Sequence, residues 1–194
     1  VTTRYLFLDI DGVLNSAPWA TIRDNEPGAK RPIMLNEFDP LCVQKLEVLV
    51  KRLQPCQVVL SSTWRLHYTP PEMVAMLAPF GYSGGLIDRT PKLGSFRGYE
   101  IQEWMNQNLV EAHQIVILDD DDDMVHLKPR HVRTSFYKAG LCDVHVNQAL
   151  KLFGLPPLEE PIHAEDQVPH RFRIIDFPAL AAQLRQEHEA EAQG

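Results

Sequence analysis

No apolar run in the chain approaches the roughly 20 residues that a membrane-spanning helix needs, and no charged segment followed by an apolar one opens it. A membrane-spanning helix within these residues is therefore not expected. Cysteine is scarce: Cys42, Cys56 and Cys142 are odd in number and show no C-x-x-C spacing. That argues against a disulfide framework or a zinc cage and suits a cytoplasmic location. The eight histidines form no H-E-x-x-H pattern. Positive charge is also in deficit, with 19 Lys and Arg against 26 Asp and Glu and a formal net charge of -7. Strong sequence-independent adhesion to nucleic acid is thereby disfavoured, although a local basic patch is not. No internal repeat is visible. What remains is a chain of 194 residues, 44% of them hydrophobic, enough for one domain with a core of two or three layers.

The apolar pattern has two periods. Tyr5 to Leu8 reads as a strand buried on both faces, and "CQVVLSS", "GGLIDRT", "QIVILDDDDD" and "VRTSF" follow as further strands. Between them, Asp39-Pro40 opens a helix with Asp as cap and Pro in the first turn, and Cys42, Leu46, Leu49, Val50 and Leu53 share its apolar face. "PPEMVAMLAPFG" is a short helix. "GYEIQEWMNQNL" is amphipathic, with Ile101, Trp104, Met105 and Leu109 inward, and "DVHVNQALKLFGLPP" is a helix stopped by Gly154. Strands alternating with helices imply an α/β fold, a Rossmann-like parallel sheet with helices on both faces. The expected core spans residues 1–158, with an irregular flap at 16–36. Residues 159–194 read as a tail, docked through "RIIDFPALAAQL" and frayed after about Arg185.

Ligands of such sheets bind beyond the carboxyl ends of the strands. Three of these ends carry Asp9 and Asp11, Ser61 and Ser62, and Asp119 and Asp120. Two carboxylates crowded at the mouth of a buried strand need a positive partner, and hard oxygen ligands suit Mg2+. Asp9 is expected to be both nucleophile and metal ligand. Asp11 is expected to reach the metal through its backbone carbonyl and to keep its carboxyl as general acid and base. The plainer reading of the pair is two turn carboxylates capping backbone amides. Ser61 and Ser62 could donate to a phosphoryl oxygen, or cap the next turn. Arg65 could fork onto a phosphate or onto the acidic cluster. Trp64 reads as core.

"FLDIDGVLN" resembles the first motif of the haloacid dehalogenase (HAD) superfamily of phosphohydrolases, D-x-D-G-x-L/T, with Gly12 as its glycine. "VVLSS" is similar to the second motif and "ILDDDDD" to the fourth. "LSSTWR", "RGYEIQEW" and "ILDDDDD" together look like the HAD domain of bacterial and phage RNA-repair proteins and of related polynucleotide 3'-phosphatases. The resemblance covers residues 4 to 153. It implies that Ser61 binds phosphate with Ser62 as helper. It also implies that a cation before the last catalytic strand neutralises the phosphate. Arg97 is the choice, with Lys92 as rival. Among the five aspartates the D-D pair is Asp119 and Asp120, with Asp120 favoured as direct metal ligand. Asp121 and Asp122 would cap the following helix or stay in solvent, and Asp123 would brace a basic residue.

The two insertion points for a cap domain are short, so the enzyme is expected to be capless. An open site suits a substrate that covers itself, such as an RNA or DNA end, and Arg23, Lys30, Arg31, Arg65, Arg89 and Lys92 could rim it. The expected activity is Mg2+-dependent hydrolysis of a phosphomonoester through a phosphoaspartate, on a nucleic-acid 3'-phosphate end or a nucleotide. Two rivals are a small-metabolite phosphatase covered by oligomerisation and a non-catalytic module that binds phosphate ends in nucleic-acid repair. Retention of both Asp9 and Asp11 speaks against the second rival.

Overall fold

The computed structural model describes residues 2–25 and 37–159. Short runs of Val, Ile, Leu and Phe form the strands β1 (Arg4–Leu8), β2 (Cys56–Leu60), β3 (Leu86–Arg89), β4 (Ile115–Asp119) and β5 (His131–Arg133). Every neighbouring pair is parallel, in the order β3-β2-β1-β4-β5. Parallel neighbours need crossovers, and helices supply them: α1 (Ala17–Asn25), α2 (Pro40–Leu53), α3 (Pro70–Leu77), α4 (Arg97–Asn108) and α5 (Asp143–Leu152).

Alternate residues of each strand serve two separate cores. Leu6, Leu8, Val58, Leu60, Val116 and Leu118 face a layer with Leu46 and Leu49 of α2, Met73 of α3 and Val146 of α5. Phe7, Val59, Ile115 and Ile117 face Ile101, Trp104 and Met105 of α4. The sheet is thus covered on both sides, as the unbroken apolar runs require. The α2 start is as expected: Asp39 Oδ1 accepts the Leu41 N–H at 2.9 Å, with Pro40 in the first turn.

The structure corrects some local expectations. Residues 17–25 of the expected flap form α1, because Ser16 Oγ accepts the Trp19 N–H at 3.3 Å and Pro18 falls in the first turn, where it lacks no needed donor. Leu109 is not inward. It is 90% exposed and takes a left-handed conformation that ends α4. The fifth strand is shorter than "VRTSF", and β2 stops before the two serines. Residues 26–36 of the flap, the docked patch of the tail and its end after Arg185 lie outside the described residues. Between β2 and α4 the chain is used up by two 3-10 turns, α3 and β3, leaving no inserted domain at that point.

The site lies where the chain reverses direction across the sheet. From β1 it moves outward to β2 and β3, then crosses back to place β4 on the other side of β1. The carboxyl ends of β1 and β4 meet at that switch point, where ligands of such sheets bind.

Candidate active site

The parallel ladder continues past the strands and brings their tips level. The Asp9 N–H donates to Leu118 O at 3.0 Å, and the Ser61 N–H to Leu8 O at 2.8 Å. Asp9, Asp119 and Asp120 each offer a carboxylate oxygen, all within 4.8 Å of one another. Asp9 and Asp119 are buried and Asp120 is half-buried. Burial pushes the carboxyls of Asp9 and Asp119 above the usual carboxylate range; the charge of Asp9 raises Asp119 further, as that of Asp11 raises Asp9, while Arg97 opposes both rises. Asp120 is also raised, by burial first and then by Asp121. A ring of three oxygens held this way is short of positive charge.

The donor set fits a hard divalent cation such as Mg2+. All three candidate ligands are carboxylates, and the Oδ2 of Asp119 is buried with no hydrogen-bond partner among the described residues. Gly12 packs tightly against one of them, Asp120. The Gly12 φ is +72°, and a Cβ there would lie 2.3 Å from the Asp120 Cγ, so only glycine lets the β1 turn and the β4 turn close together.

Arg97 meets this cluster from the first turn of α4. Its guanidinium donates to the Ser61 carbonyl and lies 3.9 Å from Asp9 Oδ1 and 3.6 Å from Asp119 Oδ2. Asp123 holds it there: its Oδ2 accepts the Arg97 N–H at 2.8 Å and its carbonyl accepts the Gly98 N–H at 3.2 Å. Gly98 is pressed so close to this turn that a Cβ would come within 2.3 Å of the Met124 carbonyl. Asp121 and Asp122 are exposed, Asp122 pairing with Lys128 at 3.1 Å, and neither caps a helix.

Ser61 is fully buried, yet its Oγ has no partner among the described residues. Ser62, also buried, hydrogen-bonds Asp9 through its hydroxyl and caps the next turn by accepting the Trp64 N–H at 3.4 Å. The expected cap is therefore in place, and the same hydroxyl is directed to Asp9. Asp11 stands outside the ring. Its Oδ1 accepts from Asn15 Nδ2 at 2.8 Å and its Oδ2 from Trp64 Nε1 at 3.0 Å. Asn15 Oδ1 in turn accepts the Gly12 N–H at 2.9 Å, tying carboxylate and turn together.

Two expected residues stand elsewhere. Arg65 is 5% exposed, and its fork is occupied by Glu100 at 2.5 Å, the Ser62 carbonyl at 2.7 Å and the Pro91 carbonyl at 3.4 Å. With Glu100 already neutralising it, Arg65 uses its two terminal nitrogens to tie α4 to the turn after β2, and its Nε alone stays without a partner among the described residues. Lys92 is exposed on a separate groove beside β3. Asn15, Trp64 and Glu100 are the residues the sequence reading did not assign. Asn15 ends the "FLDIDGVLN" motif and could have been noticed there. Trp64 is half-buried against Phe38 and Tyr68 as expected, but its ring nitrogen points to chemistry that apolar character alone does not announce.

No helix among the described residues is long and apolar enough to cross a membrane. No curated protein and no solved structure matches the chain. The family model of the HAD domain in Swiss Army Knife RNA repair proteins matches residues 5–146, a span that holds β2 to β5, all of β1 but Arg4, the three-aspartate ring and Arg97. With its parallel 3-2-1-4-5 sheet and acidic crevice, the chain belongs to this family of HAD domains.

Proposed function

We propose that the chain is a phosphomonoester hydrolase acting through an aspartyl phosphate on Asp9, with a nucleic-acid 3'-phosphate end or a nucleotide as substrate. The observation that carries this reading is the meeting of three carboxylates, Arg97 and the unpartnered Ser61 Oγ at adjoining strand tips. Asp9, Asp119 and Asp120 would hold Mg2+, which neutralises charge on the phosphoryl oxygens when bound.

Asp9 attacks phosphorus in line with the leaving oxygen, forming the O–P bond as the ester bond breaks. Asp11 delivers its proton to that leaving oxygen. It then takes a proton from the water that attacks the phosphoaspartate, which returns Asp9 and releases inorganic phosphate. Asn15 and Trp64 fix both oxygens of Asp11 so that its carboxyl stays outside the ring and turned to one task. Arg97 and the Ser61 hydroxyl bind the remaining phosphoryl oxygens as charge moves onto them. The RNA-repair family and the lack of an inserted domain between β2 and α4 support a large, self-covering substrate.

The test is turnover of p-nitrophenyl phosphate and of 3'-phosphorylated oligonucleotides, nucleotides and sugar phosphates under one Mg2+ condition. Activity should vanish in Asp9→Asn with the fold intact. Full activity in that variant would remove the nucleophile, and equal rates on all three natural classes would remove the nucleic-acid assignment.

A further inference from the structure

Beside the centre lies a groove of about 480 Å3 at the carboxyl end of β3. The Thr90 N–H donates to Leu60 O at 3.0 Å, as the Ser61 N–H does to Leu8 O, so Thr90 stands one strand further along the same line of tips as Ser61. Adjacent strands are about 4.8 Å apart, so the groove begins within two strand spacings of Asp9. Arg89 and Lys92 flank it, both exposed. The acid in its lining, Asp88, is held by donors on both oxygens: the Arg89 N–H at 2.8 Å and Trp104 Nε1 at 2.7 Å. Arg65 is balanced by Glu100. The lining therefore keeps a net positive charge on a chain whose formal charge is -7.

Two buried donors in that lining lack a partner among the described residues. Thr90 is 2% exposed and its Oγ1 is unpaired, and the Nε of the buried Arg65 is unpaired as well. A buried donor without an acceptor is disfavoured, and two in one basic groove call for an anion with several oxygens. We infer that this groove binds an internal phosphodiester of a polynucleotide strand whose terminal phosphomonoester sits at Asp9. The inference rests on the phosphatase reading of the centre and extends it from a terminal group to a strand. Arg89 is pinned by donating to the Arg65 carbonyl at 2.7 Å, so its charge is held at the groove rather than swinging in solvent.

Two variants and two readouts test this. In Thr90→Val and Arg89→Gln, anisotropy would follow the binding of fluorescent tetranucleotides with a 3'-hydroxyl, which have internal phosphodiesters but no phosphomonoester, in RNA and DNA forms. Affinity should fall about tenfold in each variant, and the salt dependence of log K in Arg89→Gln should drop by about 0.7, one phosphate's worth for a single strand. In parallel, kcat/KM on a 3'-phosphorylated tetranucleotide should fall about tenfold while that on p-nitrophenyl phosphate holds. Thr90→Val should melt no lower than the wild type, because it removes an unpaired hydroxyl, so a binding loss could not be laid to misfolding. Unchanged tetranucleotide affinity in both variants would overturn the inference, as would equal loss on both phosphatase substrates. Failure of the wild type to hydrolyse any phosphomonoester would refute the reading of the centre, and the 3'-hydroxyl binding series would still decide the groove. Preference for the RNA or the DNA form identifies the strand.

Discussion

Replacing Asp119 by Asn should make the metal-free protein more stable while removing its response to Mg2+. Asp119 Oδ1 accepts the Asp121 N–H at 2.9 Å, a bond that an Asn carbonyl keeps. The charge removed lies within 4.8 Å of oxygens of Asp9 and Asp120 and 3.6 Å from Arg97. At an effective dielectric of about 20, repulsion from Asp9 is at least about 3 kcal/mol and attraction to Arg97 about 4–5 kcal/mol. Asp120 is half-exposed and screened, so it adds only about 1 kcal/mol of repulsion. These contributions nearly cancel, which leaves the burial of the carboxylate to decide.

Burial is also the largest cause of the raised Asp119 carboxyl. A carboxyl raised in the folded state binds a proton that the unfolded chain has already released, so stability falls as pH rises through the folded value. Wild-type and variant should therefore melt alike near pH 4, the ordinary value of an unfolded Asp, and diverge above it. At pH 9 in EDTA, Asp119→Asn should be more stable by about 1–3 kcal/mol, roughly 3–10 °C in Tm for a domain of this size. Adding Mg2+ should raise the wild-type Tm at pH 9 and leave the variant's nearly unchanged, since a ligand that binds only the native state stabilises by mass action. Melts across pH with and without Mg2+ provide the measurement. A variant less stable than wild type at pH 9, or a wild type indifferent to Mg2+, would refute the reasoning.

Arg97→Ala should lower kcat on p-nitrophenyl phosphate by at least about a hundredfold, as removal of an electrostatic stabiliser does, whereas Lys92→Ala should have a small effect; steady-state kinetics in parallel distinguish the two, and the reverse order would exchange their roles. Gly12→Ala should lose about 1–2 kcal/mol from the left-handed backbone alone, and its Cβ should push Asp120 out of the ring and weaken Mg2+ binding at least tenfold by calorimetry. Burial pushes the Asp39 carboxyl up to about 6, so ionising it opposes folding and stability should fall as pH rises from 4 through 6. Asp39→Asn keeps the helix cap and should flatten that fall by about 1–3 kcal/mol in denaturant titrations; an unchanged slope would show that Asp39 ionises freely.

The sheet was legible because its strands are apolar without alternation, a pattern only a doubly covered parallel sheet accommodates. The α2 start was legible because Asp39-Pro40 acts through residues two places apart. The irregular flap expected at 16–36 was misplaced over 17–25, since Pro18 in isolation is as much a turn former as a first-turn helix residue. In the aspartate run, local sequence could not set the register. The structure resolves it by ending β4 at Asp119, so that Asp119 and Asp120 turn back toward β1 while Asp121 and Asp122 face solvent. The contacts that were not legible are long-range: Trp64 with Asp11 across 53 positions and Arg65 with Glu100 across 35. Both arise from side chains of mixed character, where an apolar or cationic body hides a specific donor, and only the fold decides which acceptor it meets.

The close seat of Gly98 under the Met124 carbonyl fuses two segments that lie more than twenty positions apart into one mechanical part. The arm that carries the guanidinium and the bend that carries the acids must shift as a unit. A methyl group wedged at that joint would therefore disable the cationic and anionic halves of the centre together, although Gly98 itself carries no chemistry.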